Sequence, residues 1–280
     1  MIQCNYCNST KHKKRYHVQS SENNKTVTYY TCQRCGSIMQ YPLPDENTIK
    51  EYYNNYREIK KNMNPGYLNQ QGYNALKNER NMTLKEIGFD SKTIPNKTNI
   101  ELGCANGHFL RYLVEMNSKE TIGIDISDEL LNSIDLNGVT LINGSLDDIK
   151  TSSCDTLFLF NVLEHIPDIQ SLMENSIRIT KPDSSIIIEV PLSGFVQNFF
   201  GAKWRFFMPD EHIQIPSKKG LIMLLKRYNL KVTGYTRFGS GFTSGMIHPF
   251  FKRIFDYSAK KIKCGDRGTF LIQPEKIKPL

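Results

Sequence analysis

Four of the seven cysteines fall in two short pairs, Cys4-x2-Cys7 and Cys32-x2-Cys35. Each pair can present two thiolates to one ion, and the chain between them can return the second pair to complete a tetrahedron, as structural zinc requires. Four thiolates leave no position open to water, so a metal there holds structure and performs no chemistry. A redox pair is the alternative, under which a second CxxC is superfluous. Asn8 and Gly36 follow the pairs and tolerate the left-handed backbone of a chain turning tightly around a metal. His12 and His17 lie in what reads as a long loop, as spare ligands or solvated residues. Residues 1–44 are too few for a core of their own, so the metal would supply most of their folding free energy.

A second constellation begins at Glu101-Leu102-Gly103-Cys104-Ala105-Asn106-Gly107. A dinucleotide fingerprint needs glycine at 105 and 108, where this chain has Ala105 and His108, and no phosphate-binding P-loop sequence is present. The turn does allow close backbone approach at Gly103 and Gly107. Asp125 ends the next strand-like run, where a carboxylate can accept from both hydroxyls of a ribose. A nucleoside without phosphates but with a charged amino-acid tail satisfies these features. Glu101 also reads as a structural carboxylate capping the turn, Asp125 as a solvated loop carboxylate, and Cys104 as a small buried residue.

Regular alternation positions these residues. Strand-like runs occur at Thr98–Leu102, Thr121–Asp125, Val139–Ile142, Thr156–Phe160, Ser185–Val190, Leu230–Phe238 and Gly268–Pro274. Between them, Phe109, Leu110, Leu113 and Val114 share one helix face, and Ile169, Leu172, Met173 and Ile177 another, on a helix entered at Asp168. Ser217 reads as the N-cap of a helix carrying Leu221, Leu224, Leu225 and Tyr228. Upstream, Tyr73, Leu76, Leu84 and Ile87 outline a helix that Gly88 would stop. Near-continuous apolar strands alternating with amphipathic helices predict an α/β fold with a parallel sheet covered on both faces.

These motifs together resemble class I S-adenosylmethionine-dependent methyltransferases over residues 97 to 238. The resemblance rests on the ELGCANG turn, Gly123-Ile124-Asp125, Asn143-Gly144-Ser145-Leu146-Asp147-Asp148, Asn161-Val162-Leu163-Glu164-His165-Ile166-Pro167 and Lys181-Pro182-Asp183. With Cys4–Cys35 and the Pro42-x-Pro44 segment, the chain is similar to members with a zinc ribbon ahead of the methyltransferase domain, which commonly modify sugars, cell-surface polysaccharides or secondary metabolites. The resemblance implies a Rossmann-like seven-stranded sheet whose last strand is antiparallel, with S-adenosylmethionine and structural zinc as cofactors. It implies cofactor contacts from Glu101, Gly103, Ala105, Gly107, Asp125, Ile126, Ser145, Leu146 and Asn161, and zinc ligation by Cys4, Cys7, Cys32 and Cys35. Gly103 and Gly107 would flank the methionine end, Asp125 the ribose and Leu146 the adenine. Where the family often has an acidic residue for the adenine amino group, this chain has Ser145, so Asp147 or a backbone carbonyl would serve.

Methyl transfer from a sulfonium needs orientation and, for some acceptors, removal of a proton. His165 and Glu164 are candidate bases near the fourth strand's end, and also read as packing and capping residues. His212, in the insert after the fifth strand, is a rival. That insert concentrates Phe195, Phe199, Phe200, Trp204, Phe206 and Phe207 within 13 residues. It reads equally as a hydrophobic cap and as an aromatic wall for a ring-shaped acceptor.

The chain has 280 residues and a net charge of +8, distributed unevenly. Residues 203–280 carry 16 Lys+Arg against 5 Asp+Glu, residues 1–44 carry 6 against 1, and the middle is acidic. The basic C-terminal third suits an anionic acceptor, nucleic acid or an anionic membrane surface. Lys and Arg near 252–263 alternate with apolar residues, as on an ordinary solvated amphipathic helix. Composition excludes membrane-spanning, collagenous and secreted disulfide classes, and the odd cysteine count and the N-terminal sequence predict a cytoplasmic protein. The expected organisation is a zinc ribbon (1–44), a helical linker or cap (45–95) and a methyltransferase domain (96–280), with a substrate-cap insert near 191–216 and a helical insert near 240–264. The expected reaction is methyl transfer to a small-molecule acceptor, most simply a hydroxyl of a sugar or polysaccharide precursor, with nucleotide-linked sugars among the candidates. An RNA methyltransferase and an inactive interaction module are the alternatives.

Overall fold

The computed structural model describes residues 2–20, 25–44, 46–56, 69–243 and 245–275. Part of the expected linker (45 and 57–68) therefore lies outside the described residues, as do residue 244 of the helical insert and the last five residues of the chain.

Seven strands form one mixed sheet. They are β4 (Thr98–Leu102), β5 (Glu120–Asp125), β6 (Val139–Asn143), β7 (Cys154–Phe160), β8 (Thr180–Pro191), β10 (Leu230–Phe238) and β11 (Arg267–Pro274), in the order β10-β11-β8-β7-β4-β5-β6. The last strand is thus inserted between β8 and β10. β4 pairs in parallel with both β5 and β7, and β5 with β6. Every residue of β4 is buried, the polar Asn99 and Glu101 included, as in a strand covered on both faces. Each expected strand is present within a few residues; β8 begins five residues earlier than its apolar run.

Two compact units divide the chain. One comprises Asp45–Phe160, Ser171–Ile188 and Leu271–Leu280. It contains α1 (Glu46–Asn54), α2 (Gln70–Glu86), α3 (His108–Glu115), α4 (Asp128–Asn132) and most of α5 (Ile169–Ile179). Asn69 caps α2 by accepting from the amides of Gln71 and Gly72, and the helix stops before Gly88. Tyr73, Leu84, Phe109, Tyr112, Leu113, Phe158 and Ile187 share its main core. Two expectations are corrected: Tyr112 takes the buried position assigned to Val114, and Ile177 is exposed while Ser176 and Ile179 are buried. On α5 the apolar stripe turns one residue further round than the Ile177 assignment supposed.

The other unit comprises Met1–Pro44, Asn161–Gln170 and Glu189–Phe270. The segment read as a long loop is a hairpin, β1 (His12–Gln19) antiparallel to β2 (Thr26–Cys32), with His17 opposite Thr28. β3 (Ile38–Gln40) extends it, and β9 (Gln214–Ile215) joins β3 antiparallel, so the ribbon sheet gains a strand from far along the chain. Trp204 and Phe207 from the aromatic insert are buried with Tyr29, Ile38 and Ile215, while Phe195 and Phe199, on α6 (Phe195–Phe200), are exposed. The buried half of the insert is therefore a cap over the ribbon sheet. α7 (Lys218–Arg227) is capped by Ser217, whose Oγ accepts from the Gly220 amide at 2.9 Å. α8 (Pro249–Lys261) differs from an ordinary amphipathic helix. Only Ala259 is buried on it, and Phe250, Phe251, Ile254, Phe255 and Tyr257 are all exposed.

Candidate functional site

The turn after β4 is built by backbone geometry. Gly103 and Gly107 adopt φ of +71° and +73°, in the left-handed region. A Cβ on Gly107 would meet Ile134 at 3.0 Å, so space as well as conformation demands glycine there. Ala105 holds φ +48°, a strained value for a residue with a side chain. Asp125 supplies the compensation: its Oδ2 accepts from the Ala105 amide at 2.9 Å and its Oδ1 from the Ser127 amide at 3.0 Å. One carboxylate thereby ties the turns after β4 and β5 together. Burial raises its pKa, and these amide bonds oppose the rise. The Asp125 carbonyl accepts from the Gly144 amide at 3.1 Å, which brings the segment after β6 alongside.

Two features of this region suit an adenosine. Ile126 is an exposed apolar residue directly after Asp125, and Leu146 is buried nearby in sequence to Gly144. The Ser145 hydroxyl already has protein partners. It caps the short turn Leu146–Asp148, accepting from the Asp147 amide at 3.1 Å and donating to the Asp147 carboxylate at 2.8 Å. Asp147 also accepts from Asn175, so both groups expected to compete for the adenine amine have protein partners. Glu101 is 5% exposed, and its Oε2 accepts no hydrogen bond. Burial pushes its pKa up to about 8, with Asp125 adding to the rise and Arg80 opposing it. Cys104 is buried and its thiol is pushed up by burial, consistent with a packing role.

Arg80 is the residue that sequence reasoning missed. It occupies the apolar face of α2, seven positions after Tyr73 and four before Leu84, and it is buried with its guanidinium 3.8 Å over the Phe160 ring. A cation at a core position of an otherwise apolar stripe was the available signal.

A separate cluster forms in the other unit. Asn161, with φ +53°, donates its amide to the Glu189 carbonyl at 2.8 Å. Glu164 is fully buried, and neither of its carboxylate oxygens accepts a hydrogen bond. Its pKa lies well above the carboxylate range, from burial first and then from the charges of Glu189 and Glu211. His165 Nε2 lies 3.8 Å from Glu164 Oε1, and the His165 and His212 rings meet edge to face with centroids 4.9 Å apart. His165 Nδ1 is 2.8 Å from the Glu211 carbonyl, and His212 Nδ1 is 2.9 Å from the Phe206 carbonyl. A carbonyl only accepts, so in each ring Nδ1 carries a proton and Nε2 is turned away from that carbonyl. The two rival histidines thus stand in one cluster with Glu164.

In the same unit the four N-terminal cysteines converge. Cys4 and Cys35 Sγ lie 3.6 Å apart, and Cys7 and Cys32 Sγ 3.5 Å apart, with all four thiols free and buried. A zinc tetrahedron with Zn–S bonds of about 2.3 Å separates its sulfurs by about 3.8 Å, so the donor set fits that ion closely. Cys35, accepting from Cys4, is held down at about 5, whereas burial pushes Cys7 up to about 11.

A glycine-lined turn after the first sheet strand, anchored by an acid closing the second, defines a nucleoside-binding α/β enzyme. The sequence profile described as the methyltransferase domain matches residues 76–234, and the chain belongs to that family as an S-adenosylmethionine-dependent methyltransferase. Its fold is similar to that of a SAM-dependent methyltransferase from Archaeoglobus fulgidus, with 16% identity, a TM-score of 0.53, and coverage of 78% of this chain and 98% of that one. It is also similar to a chain of the Haloferax volcanii complex between the Trm112 methyltransferase activator and its candidate methyltransferase. There identity is 14%, the TM-score 0.54, and coverage 82% and 97%. At such identities the likeness is one of fold alone. No curated protein matches the chain in sequence. No helix among the described residues is long and apolar enough to cross a membrane.

The Glu101 environment has a measurable consequence. A carboxyl at 4.5 when unfolded and about 8 when folded makes stability fall as pH rises from about 4.5 to 8, because the folded state binds the proton more tightly. Glu101→Gln removes that titration. The melting temperature of the variant relative to the unaltered protein is expected to rise between pH 5 and pH 8 in thermal unfolding. A constant difference across that range would contradict the raised value.

Proposed function

We propose that this methyltransferase transfers the methyl group to a hydroxyl of a small, anionic, sugar-containing acceptor, such as a nucleotide-linked precursor of a cell-surface polysaccharide. The observation that carries this reading is the Glu164–His165–His212 cluster. Two imidazoles held through Nδ1 beside a buried carboxyl group suit a nucleophile that must lose a proton, as a hydroxyl must and a free amine need not. The excess of 16 Lys+Arg over 5 Asp+Glu in residues 203–280 suits an acceptor bearing phosphates.

In this reading Gly103 and Gly107 let the backbone approach the amino-acid end of S-adenosylmethionine, and Glu101, beside Arg80, faces its ammonium group. Asp125 accepts from the ribose hydroxyls while remaining bonded to the Ala105 and Ser127 amides. Ile126 and Leu146 flank the adenine, the backbone of Ser145 reads its edge, and Asn161 lines the methyl-transfer face. The bound cofactor supplies a methyl group already activated by its sulfonium. His165 Nε2 takes the hydroxyl proton, with Glu164 and His212 as the alternative bases. Cys4, Cys7, Cys32 and Cys35 hold a structural zinc in a ribbon of residues 1–44. Residues 45–95 serve as a helical linker or cap, and 96–280 as the methyltransferase domain with inserts near 191–216 and 240–264. A reducing cytoplasm keeps the four thiols available to the metal.

The test is release of S-adenosylhomocysteine in the presence of a panel of nucleotide sugars and of structured RNA. Turnover on a nucleotide sugar is expected, with kcat lowered by about a hundredfold or more in His165→Gln and cofactor affinity unchanged. Methylation of RNA without turnover on any nucleotide sugar would overturn the acceptor class. It would favour RNA instead, for which the basic composition of residues 1–44, 6 Lys+Arg against 1 Asp+Glu, is the supporting observation.

A further inference from the structure

We infer that Glu164, His165 and His212 form a binding site for one divalent transition-metal ion, separate from the four-cysteine cluster. One ligand atom from each of the three residues lies within 4.8 Å of the others. Bound zinc needs its nitrogen and oxygen ligands about 3.4 Å apart, so closing the site takes movements of about an ångström.

Two independent features point to a cation. Both imidazoles are oriented as metal-ligating histidines are: Nδ1–H donates to a backbone carbonyl, which fixes the ring and directs the lone pair through Nε2. Glu164 is fully buried, and neither carboxylate oxygen accepts a hydrogen bond, a costly state that an ion would relieve.

Two nitrogens and one oxygen are the ligand type of catalytic zinc, and they leave a coordination position open. The ion's chemical role rests on the acceptor reading above, while its binding does not. A hydroxyl in the open position would lose its proton to solvent near neutral pH. Its oxygen would then bond the methyl carbon as the carbon–sulfur bond breaks, leaving a neutral thioether. Ligation and proton transfer both use the Nε2 lone pair and exclude one another, so the base role proposed above belongs to the metal-free cluster, and with the ion bound His165 positions the acceptor's oxygen through the metal.

The experiment is metal analysis of the full chain, equilibrated with zinc and then desalted. The unaltered protein is expected to retain about two zinc ions, one on the four thiolates and one on this site. Glu164→Gln and His212→Gln are expected to retain about one, with the second site weakened by about a hundredfold or more and S-adenosylhomocysteine affinity unchanged as evidence of folding. Retention of a single ion by the unaltered protein would overturn the inference, and so would an unchanged second equivalent in folded variants. Cobalt titration of the unaltered chain loaded with a single zinc equivalent, which occupies the four thiolates and leaves the second site open, gives a second reading that needs no variant to fold. An added equivalent without thiolate charge-transfer absorption supports the site; no uptake, or a thiolate spectrum, contradicts it. Neither measurement involves a methyl acceptor, so failure on sugars leaves both interpretable.

Discussion

Asp125→Ala is expected to weaken S-adenosylhomocysteine binding by more than about tenfold in calorimetry. A tenfold loss corresponds to about 1.4 kcal/mol. One hydrogen bond to a charged group contributes about 1.5–3 kcal/mol, and on the proposed reading two ribose hydroxyls lose theirs together. The fold adds a second contribution. The same carboxylate holds the Ala105 and Ser127 amides, so its removal also releases the strained left-handed backbone at Ala105. Asp125→Asn keeps the shape and one acceptor, and an intermediate loss is expected. Unchanged affinity in a folded Asp125→Ala protein would remove Asp125 from the cofactor site.

Stripping the metal, or replacing Cys35 with serine, is expected to lower the melting temperature by about ten degrees or more and to expose residues 1–44 to proteolysis. Structural zinc contributes on the order of 10–16 kcal/mol in small thiolate sites, more than a segment of this size gains from its own apolar burial. The loss should not stop at the ribbon. Lys219 donates to the Arg34 carbonyl at 2.7 Å and Arg227 to the Asn5 carbonyl at 2.8 Å, and β3 pairs with β9. Ser37 Oγ accepts the Ser217 amide at 3.0 Å, and a Cβ on Gly220 would meet that same oxygen at 2.1 Å. Helix α7 is therefore stitched to the cysteine knuckles by contacts with no slack. Metal analysis and thermal unfolding with and without chelator check the expectation. A stable, protease-resistant, metal-free protein would contradict it.

Strands buried on both faces were legible from apolar runs such as Leu157–Phe160 in β7 and Ile186–Ile188 in β8, and the glycine turn because close approach restricts residue type. What escaped prediction depends on partners distant in the chain. Gln214 and Ile215 carry no strand signal of their own, and become a strand only because β3 presents an edge to them. Trp204 and Phe207 have the same composition whether they line a pocket or cap a ribbon sheet, and only the hairpin packed against them decides. His165 and His212 were read as rivals from two different segments, 47 positions apart, yet the fold makes them neighbours. Ser145 shows the opposite limit: its departure from the family pattern was visible, but its use as a turn cap depends on an Asp147 carboxylate two residues on.

The most direct measurement is a crystal structure of the protein with S-adenosylhomocysteine. The expected density places both ribose hydroxyls on the Asp125 carboxylate, the adenine between Ile126 and Leu146, and the amino-acid end over Gly103–Gly107 near Glu101. Adenosine bound elsewhere, or these turns filled by the protein's own side chains, would contradict the account.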